Sequence, residues 1–268
     1  MMAAMTHYLF DLGNTRLKYA PLRDDGRVGD VVAIAHDGDA LPADWDAALP
    51  TRFDAAALTT VGSAALRTQL LDALTARCGR ISIARTVARF GSLRIAYPNP
   101  EALGTDRFLA MLGARARGAR AADEHATDAL AANELAGGAR PWLVVGIGTA
   151  ITLDLVDADG LHRGGRIAPS PALMREALHA HAAQLPEHDG EVVAFADNTL
   201  DALRSGCDGA ALALIRDAMD AGTALLDVPP QLLLHGGGVD ALSGLGSDAV
   251  RAPALVLEGL AVWARMPA

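Results

Sequence analysis

The chain has 268 residues, 51% of them hydrophobic and only 4% aromatic, with a formal net charge of −9. That is enough apolar content for one large folded domain or two modest ones with an aliphatic core, and it excludes a disordered chain. The acidic balance excludes the basic face of a nucleic-acid binder but leaves local cations and backbone N–H groups to take a small anionic ligand.

The run from Met1 to Leu9 has no basic n-region and no long apolar h-region, so no signal peptide is expected. No stretch reaches the roughly 18 apolar residues of a membrane span. Cys78 and Cys207 are too few and too far apart for a disulfide framework or a metal site. These features predict a cytoplasmic protein with no membrane and no nucleic-acid partner.

His7 to Phe10 reads as a strand ending on Asp11, followed by a Gly13-Asn14-Thr15 turn and a strand from Arg16 to Ala20. Asp24-Asp25-Gly26 supplies a hairpin turn into a third strand, Val28 to Ala35. Ser63 is placed to cap a helix running to about Cys78, with Leu66, Leu70 and Leu74 on one face and Gly79 at its end. Pro98 and Pro100 hold the next stretch extended, and an apolar helix begins at Phe108, with Asp106 and Arg107 at its N-terminus. Arg117 to Gly138 is Ala-rich and reads as a helical extension and connector.

The opening pattern then returns. Trp142 to Val145 reads as a strand, Gly146-Ile147-Gly148-Thr149 as its turn, and Ala150 to Val156 as the second strand. Asp159-Gly160 turns into a third, Leu161 to Ile167. Ser170-Pro171 opens a helix, Thr199 to Leu225 carries a long one, Leu232 to His235 is a strand entering three glycines, and Pro253 to Trp263 is the last helix. A duplicated three-stranded start followed by helix and strand is an α/β plan of two ribonuclease-H-like lobes facing a central cleft, as in actin-like ATPases. The expected lobes are 1–117 and 118–268.

Three segments can carry chemistry. The Asp11-to-Lys18 segment (Asp11, Leu12, Gly13, Asn14, Thr15, Arg16, Leu17, Lys18) brings a carboxylate, turn N–H groups, a hydroxyl and a cation together. That set suits phosphate oxygens and a Mg²⁺ ion, which prefers oxygen ligands. Gly146 to Thr149 occupies the matching place in the second copy. Tyr97, Gly104, Thr105, Asp106 and Arg107 form the third; taken alone, Thr105 or Asp106 could equally be an ordinary helix cap. His235 with Gly236, Gly237 and Gly238 could let backbone approach a nucleotide, or be turn chemistry. His179 and His181 read as surface residues.

In order along the chain these motifs resemble the type III pantothenate kinases. The resemblance rests on Asp11-x-Gly13-Asn14-Thr15, Tyr97 with Asn99-Pro100, Gly104-x-Asp106-Arg107, Gly148-Thr149-Ala150, and Gly164-Gly165-x-Ile167-x-Pro169. It continues through Asn198-Thr199, Ser205-Gly206, Gly236-Gly237-Gly238 and Leu257-Glu258-Gly259-Leu260. It implies ATP-dependent phosphorylation of pantothenate to 4'-phosphopantothenate, the first step of coenzyme A biosynthesis. Asp106 would be the general base. Asp11 to Lys18 and Thr149 would bind ATP with Mg²⁺, and Asp11 would face the metal. Tyr97, Gly104, Thr105, Asp106, Arg107 and, across a homodimer interface, Thr199 would hold pantothenate. The chain departs from the family at Gly146, where an aspartate associated with a monovalent cation (K⁺ or NH₄⁺) usually stands, so the site of such a cation is unknown here. Two other readings use the same fold: a nucleotide-binding accessory or regulatory protein, and a kinase for another small hydroxylated substrate.

Overall fold

The computed structural model describes residues 6–125, 140–182, 184–186 and 189–265. Met1 to Met5 and the 126–138 part of the Ala-rich insert lie outside the described residues. The first antiparallel trio forms β1 His7–Leu12, β2 Arg16–Leu22 and β3 Val32–Ala35. Gly26, at φ 79°, makes the turn after β2, and its N–H donates to Arg23 O. The third strand is shorter than expected because Val28 makes only an isolated bridge to Leu22. Two further strands, β4 Ala55–Thr60 and β5 Arg80–Ile83, continue the sheet in parallel beyond β1, in the order β3-β2-β1-β4-β5.

Side chains alternate across such a sheet, so one face of β1 carries Phe10 and Leu12 and the other Leu9 and Asp11. Phe10 and Leu12 join Leu17, Tyr19 and Leu58 in a core closed by Leu66, Leu70 and Leu74 of α1, Ala64–Thr75. Ser63 caps that helix, its hydroxyl accepting from Leu66 N–H. The helix stops at Thr75, short of Cys78. A hairpin of β6 Arg89–Phe90 and β7 Leu93–Arg94, turned at Gly91, precedes α2, Thr105–His125.

The second copy repeats the plan. Strands β8 Trp142–Ile147, β9 Ala150–Val156 and β10 His162–Pro169 are antiparallel, and β11 Gln231–His235 and β12 Val250–Arg251 extend them in parallel, in the order β10-β9-β8-β11-β12. Between them run α3, Pro171–His181, capped by Ser170, and α4, Thr199–Leu226, capped by Asn198. Ala211, Ile215 and Ala218 of α4 pack on Leu143, Val145, Ile147 and Leu153.

The final helix, α5 Leu255–Arg265, returns to the first sheet. Chain contacts therefore divide the molecule into residues 1–139 with 254–268, and residues 140–253. This differs from a division at 117/118 in two ways: α2 runs unbroken through Arg117, and α5 packs on α2, β1 and β4. Close approach of α2 and α5 requires glycine. A Cβ on Gly259 would strike the backbone of Leu109, and one on Gly113 would lie 2.5 Å from Leu255 O. Arg117 then clamps the pair with two 2.6 Å bonds to the Glu258 carboxylate.

Candidate active site

On the face of the first sheet turned away from the α1 core, three residues stand in register across neighbouring strands. Lys18 of β2 is paired with Asp11 of β1, and Asp11 with Thr59 of β4. Burial raises the Asp11 carboxyl from 3.8 to about 7; Lys18 works against that rise and the Asp106 carboxylate adds to it. A carboxylate of the α2 N-terminus thus acts on the end of β1. The turn beyond Asp11 is held from outside. Gly13 N–H donates to Arg16 O, and His36 N–H donates to Thr15 O. Nδ1 of His36 accepts from Gly38 N–H at 3.2 Å, which leaves Nε2–H to donate to Gly13 O at 3.2 Å. Gly13, Asn14, Thr15 and Arg16 lie at the surface or half-buried, whereas Leu12 and Leu17 point into the core and can meet a ligand only through backbone.

Asp106 lies in the first turn of α2, where the helix dipole favours an anion. It is half-buried, and a Cβ on Gly104 would sit 2.6 Å from Asp106 Oδ1, so a larger residue there would push the carboxylate aside. Gly104 O also accepts the α2 bond from Phe108 N–H. Arg107 is 6% exposed. Its Nη1 donates to Tyr97 Oη at 3.3 Å, and its guanidinium lies 5.8 Å from the Tyr97 ring centroid. The chain reaching this turn is fixed by Asn99, whose side chain accepts from Glu101 N–H, and by Thr86, which donates to Leu103 O at 2.8 Å. Asp11, Lys18, Tyr97, Gly104, Thr105, Asp106 and Arg107 are therefore built by one unit.

In the second unit the equivalent row reads Thr152, Gly146, His235. Gly146 is the counterpart of Asp11, and a Cβ there would meet His235 Nε2 and Thr152 Oγ1, each at 2.8 Å. Thr149 is exposed in the β8–β9 turn, its carbonyl accepting from Ser170 N–H. Gly236 and Gly238 press on Ile147: Gly238 N–H donates to Ile147 O at 2.9 Å, and a Cβ on Gly236 would strike that residue's backbone. Packing of β11 on β8 thus accounts for these two glycines. Thr199 is exposed at the start of α4.

The family described as type III pantothenate kinase matches residues 8–122 and 122–221. A type III pantothenate kinase of Stenotrophomonas maltophilia is 46% identical over 97% of this chain and 98% of its own length. One from Xanthomonas axonopodis pv. citri is 47% identical over the same shares. The chain belongs to the type III pantothenate kinase family. As such it is a kinase that phosphorylates pantothenate, in coenzyme A biosynthesis, and uses ATP with a divalent metal. A crystal structure from Sinorhizobium meliloti, of a protein assigned as a 2-dehydro-3-deoxygalactonokinase, is similar in fold. Its TM-score is 0.55, with 14% identity over 97% of this chain and 98% of that one. The fold is thus the actin-like, sugar-kinase plan of two lobes, each with a five-stranded sheet.

At Gly146 of this pantothenate kinase, the space a side chain would enter is occupied by the His235 imidazole and the Thr152 hydroxyl. Asp154, on the neighbouring strand, is buried and accepts from His162 Nε2 at 3.0 Å. Among the described residues no cluster of three or more His, Cys, Asp or Glu could hold a metal alone, and no helix is long and apolar enough to cross a membrane. His181 is exposed, while His179 is half-buried with Nδ1 2.6 Å from Leu185 O. Sequence reading missed His36 and Thr59. Neither lies in a turn motif, and their places beside Gly13 and Asp11 come from strand pairing.

Proposed function

We propose that Asp106 is the general base that takes the proton of pantothenate's primary hydroxyl as that oxygen attacks the γ-phosphorus of ATP. The observation that carries this reading is that the α2 N-terminus brings the Asp106 carboxylate near enough to Asp11 to raise its pKa, with Lys18 in register beside Asp11 and a glycine at 104 leaving room for the Asp106 carboxylate. Phosphoryl transfer asks the protein mainly for positioning and charge neutralisation. The Asp11-to-Lys18 turn and Thr149 bind the ATP phosphates, Lys18 as a cation and the turn through backbone N–H groups. Arg107, held by Tyr97, orients pantothenate together with Gly104 and Thr105.

The donor set fits Mg²⁺. Asp11 carries a pKa raised by burial and by a second carboxylate, and a hard cation relieves both causes. Mg²⁺ is commonly held by one or two carboxylates with phosphate and water, so a lone Asp11 is sufficient on the protein side. When bound, the ion neutralises charge on the transferring phosphate.

Thr199 contacts pantothenate from the partner of a homodimer. In support, Ile167, Leu178, Val192, Val193, Phe195 and Leu200 all expose apolar side chains on the same unit as Thr199, Phe195 at 99%. A cytoplasmic setting is supported by two free thiols. The crowding of Gly146 by His235 argues that K⁺ or NH₄⁺ has no carboxylate to bind there, and that turnover does not need either ion.

The test is ADP release with ATP, Mg²⁺ and pantothenate, for the wild type and Asp106→Asn, in buffers with and without K⁺ or NH₄⁺. Pantothenate-dependent turnover that falls about 10²–10⁴-fold in the variant is the expected result. A variant with wild-type turnover removes Asp106 as base. A wild type active only with K⁺ or NH₄⁺ removes the cation-independent reading.

A further inference from the structure

Thr59 is a buried polar residue of the first unit whose hydroxyl the fold does not explain. It is 1% exposed, and its Oγ1 finds no hydrogen-bond partner among the described residues. A buried hydroxyl left in that state costs stability, so such groups are rare unless a ligand or water completes them. Its position says what would complete it. Thr59 is the in-register neighbour of Asp11. Leu58, one residue before it, points into the α1 core with Phe10, so Thr59 points to the opposite face with Asp11 and Lys18. That face is covered by α2 and α5, and α2 carries Asp106 in its first turn. The strand leading to it, Ala55 to Leu58, is wholly buried and apolar, so no other polar side chain of β4 serves this spot before Thr59.

We infer that Thr59 is a positioning residue of the phosphoryl-transfer site: its hydroxyl holds a water of the divalent cation's shell beside Asp11. This rests on the reading of Asp11 as the carboxylate that faces the metal. Mg²⁺ gives up its waters reluctantly, and a carboxylate that reaches it needs its water partners fixed. A Thr hydroxyl both donates and accepts, so it can bridge a metal-bound water and the Asp11 carboxylate without adding charge to a site already holding two carboxylates. Lys18 occupies the other flank of Asp11, which leaves the β4 side for this role.

The experiment measures binding of Mn²⁺, by electron paramagnetic resonance, to the full-length enzyme saturated with a non-hydrolysable ATP analogue. It compares wild type, Thr59→Val, Thr59→Ser and Asp11→Asn, with the melting temperature of each apo protein alongside. Thr59→Val keeps the shape and removes the hydroxyl. Its Mn²⁺ dissociation constant should rise about tenfold, its melting temperature should match or exceed wild type, and Thr59→Ser should bind as wild type does. In turnover assays Thr59→Val should need more Mg²⁺ for half-maximal rate at an unchanged KM for pantothenate. If Thr59→Val binds Mn²⁺ as tightly as wild type while Asp11→Asn does not, the inference is overturned and Asp11 keeps its role. If Asp11→Asn also binds normally, the reading beneath it fails first. A Thr59→Val protein that melts several degrees lower, with no rescue by Thr59→Ser, makes the hydroxyl a structural group and overturns the inference as well.

Discussion

Asp11 shows how a single residue carries opposite demands. Its carboxyl is half-buried beside a second carboxylate, and in the absence of a cation it holds its proton up to about pH 7. The unfolded chain releases the same proton near pH 4. Between those values the folded state binds more protons than the unfolded one, so stability falls as pH rises from about 4 to 7 and is level above. Asp11→Asn removes that penalty. The apo variant should match wild type near pH 4.5 and exceed it by on the order of 2 kcal/mol at pH 8, by urea denaturation. Adding Mg²⁺ to the ATP-bound protein at pH 8 should stabilise the wild type further and the variant much less. An advantage that is the same at both pH values would show that the carboxyl is not held in its acid form by the fold.

At the scale of elements, legibility followed locality. Turn glycines, helix caps and the i,i+4 leucines of α1 are set by residues a few positions apart, and the sequence displays them. The strands β4 and β5 have no such mark. Ala55 to Leu58 is a short apolar run without alternation, because both of its faces are buried, one under α1 and the other under α2 and α5. Missing β4 meant missing Thr59. The Gly104-to-Arg107 turn was legible as a local motif because its residues are chain neighbours; His36 was not, because it reaches Gly13 from the far end of β3. The α2–α5 crossing was equally silent: Gly113 and Gly259 look like poor helix residues until the two backbones are seen to touch. Gly259→Ala should therefore cost about 3 kcal/mol, read from denaturant midpoints, although alanine is the better helix former. A gain in stability would mean that the helices cross with room to spare.

The whole molecule carries one plan twice and uses the copies differently. The row Lys18–Asp11–Thr59 is chemically equipped, and its counterpart Thr152–Gly146–His235 is packed shut around a glycine. The first copy carries the Asp11 and Asp106 carboxylates. The second exposes Thr149 and, in the segment before α4, the apolar side chains of Val192, Val193 and Phe195. That segment is held in shape. Glu191 N–H donates to Asp201 Oδ1, Val193 N–H donates to Ser205 Oγ, and Ser205 Oγ donates back to Glu191 O, so the segment before α4 is pinned to the helix. Phe195 projects from the pinned segment almost fully exposed. An aromatic presented this way loses little freedom on being covered, which is the setting of an interface anchor. If a second copy of the chain covers it, Phe195→Asp should weaken self-association about 30-fold or more, seen by sedimentation equilibrium, and leave the melting temperature of the isolated chain unchanged. If Thr199, exposed four residues further along the chain, also reaches pantothenate across that interface, pantothenate KM should rise with the loss of dimer and fall again at high protein concentration. A variant that self-associates and turns over like wild type would place the interface elsewhere and separate Thr199 from the substrate.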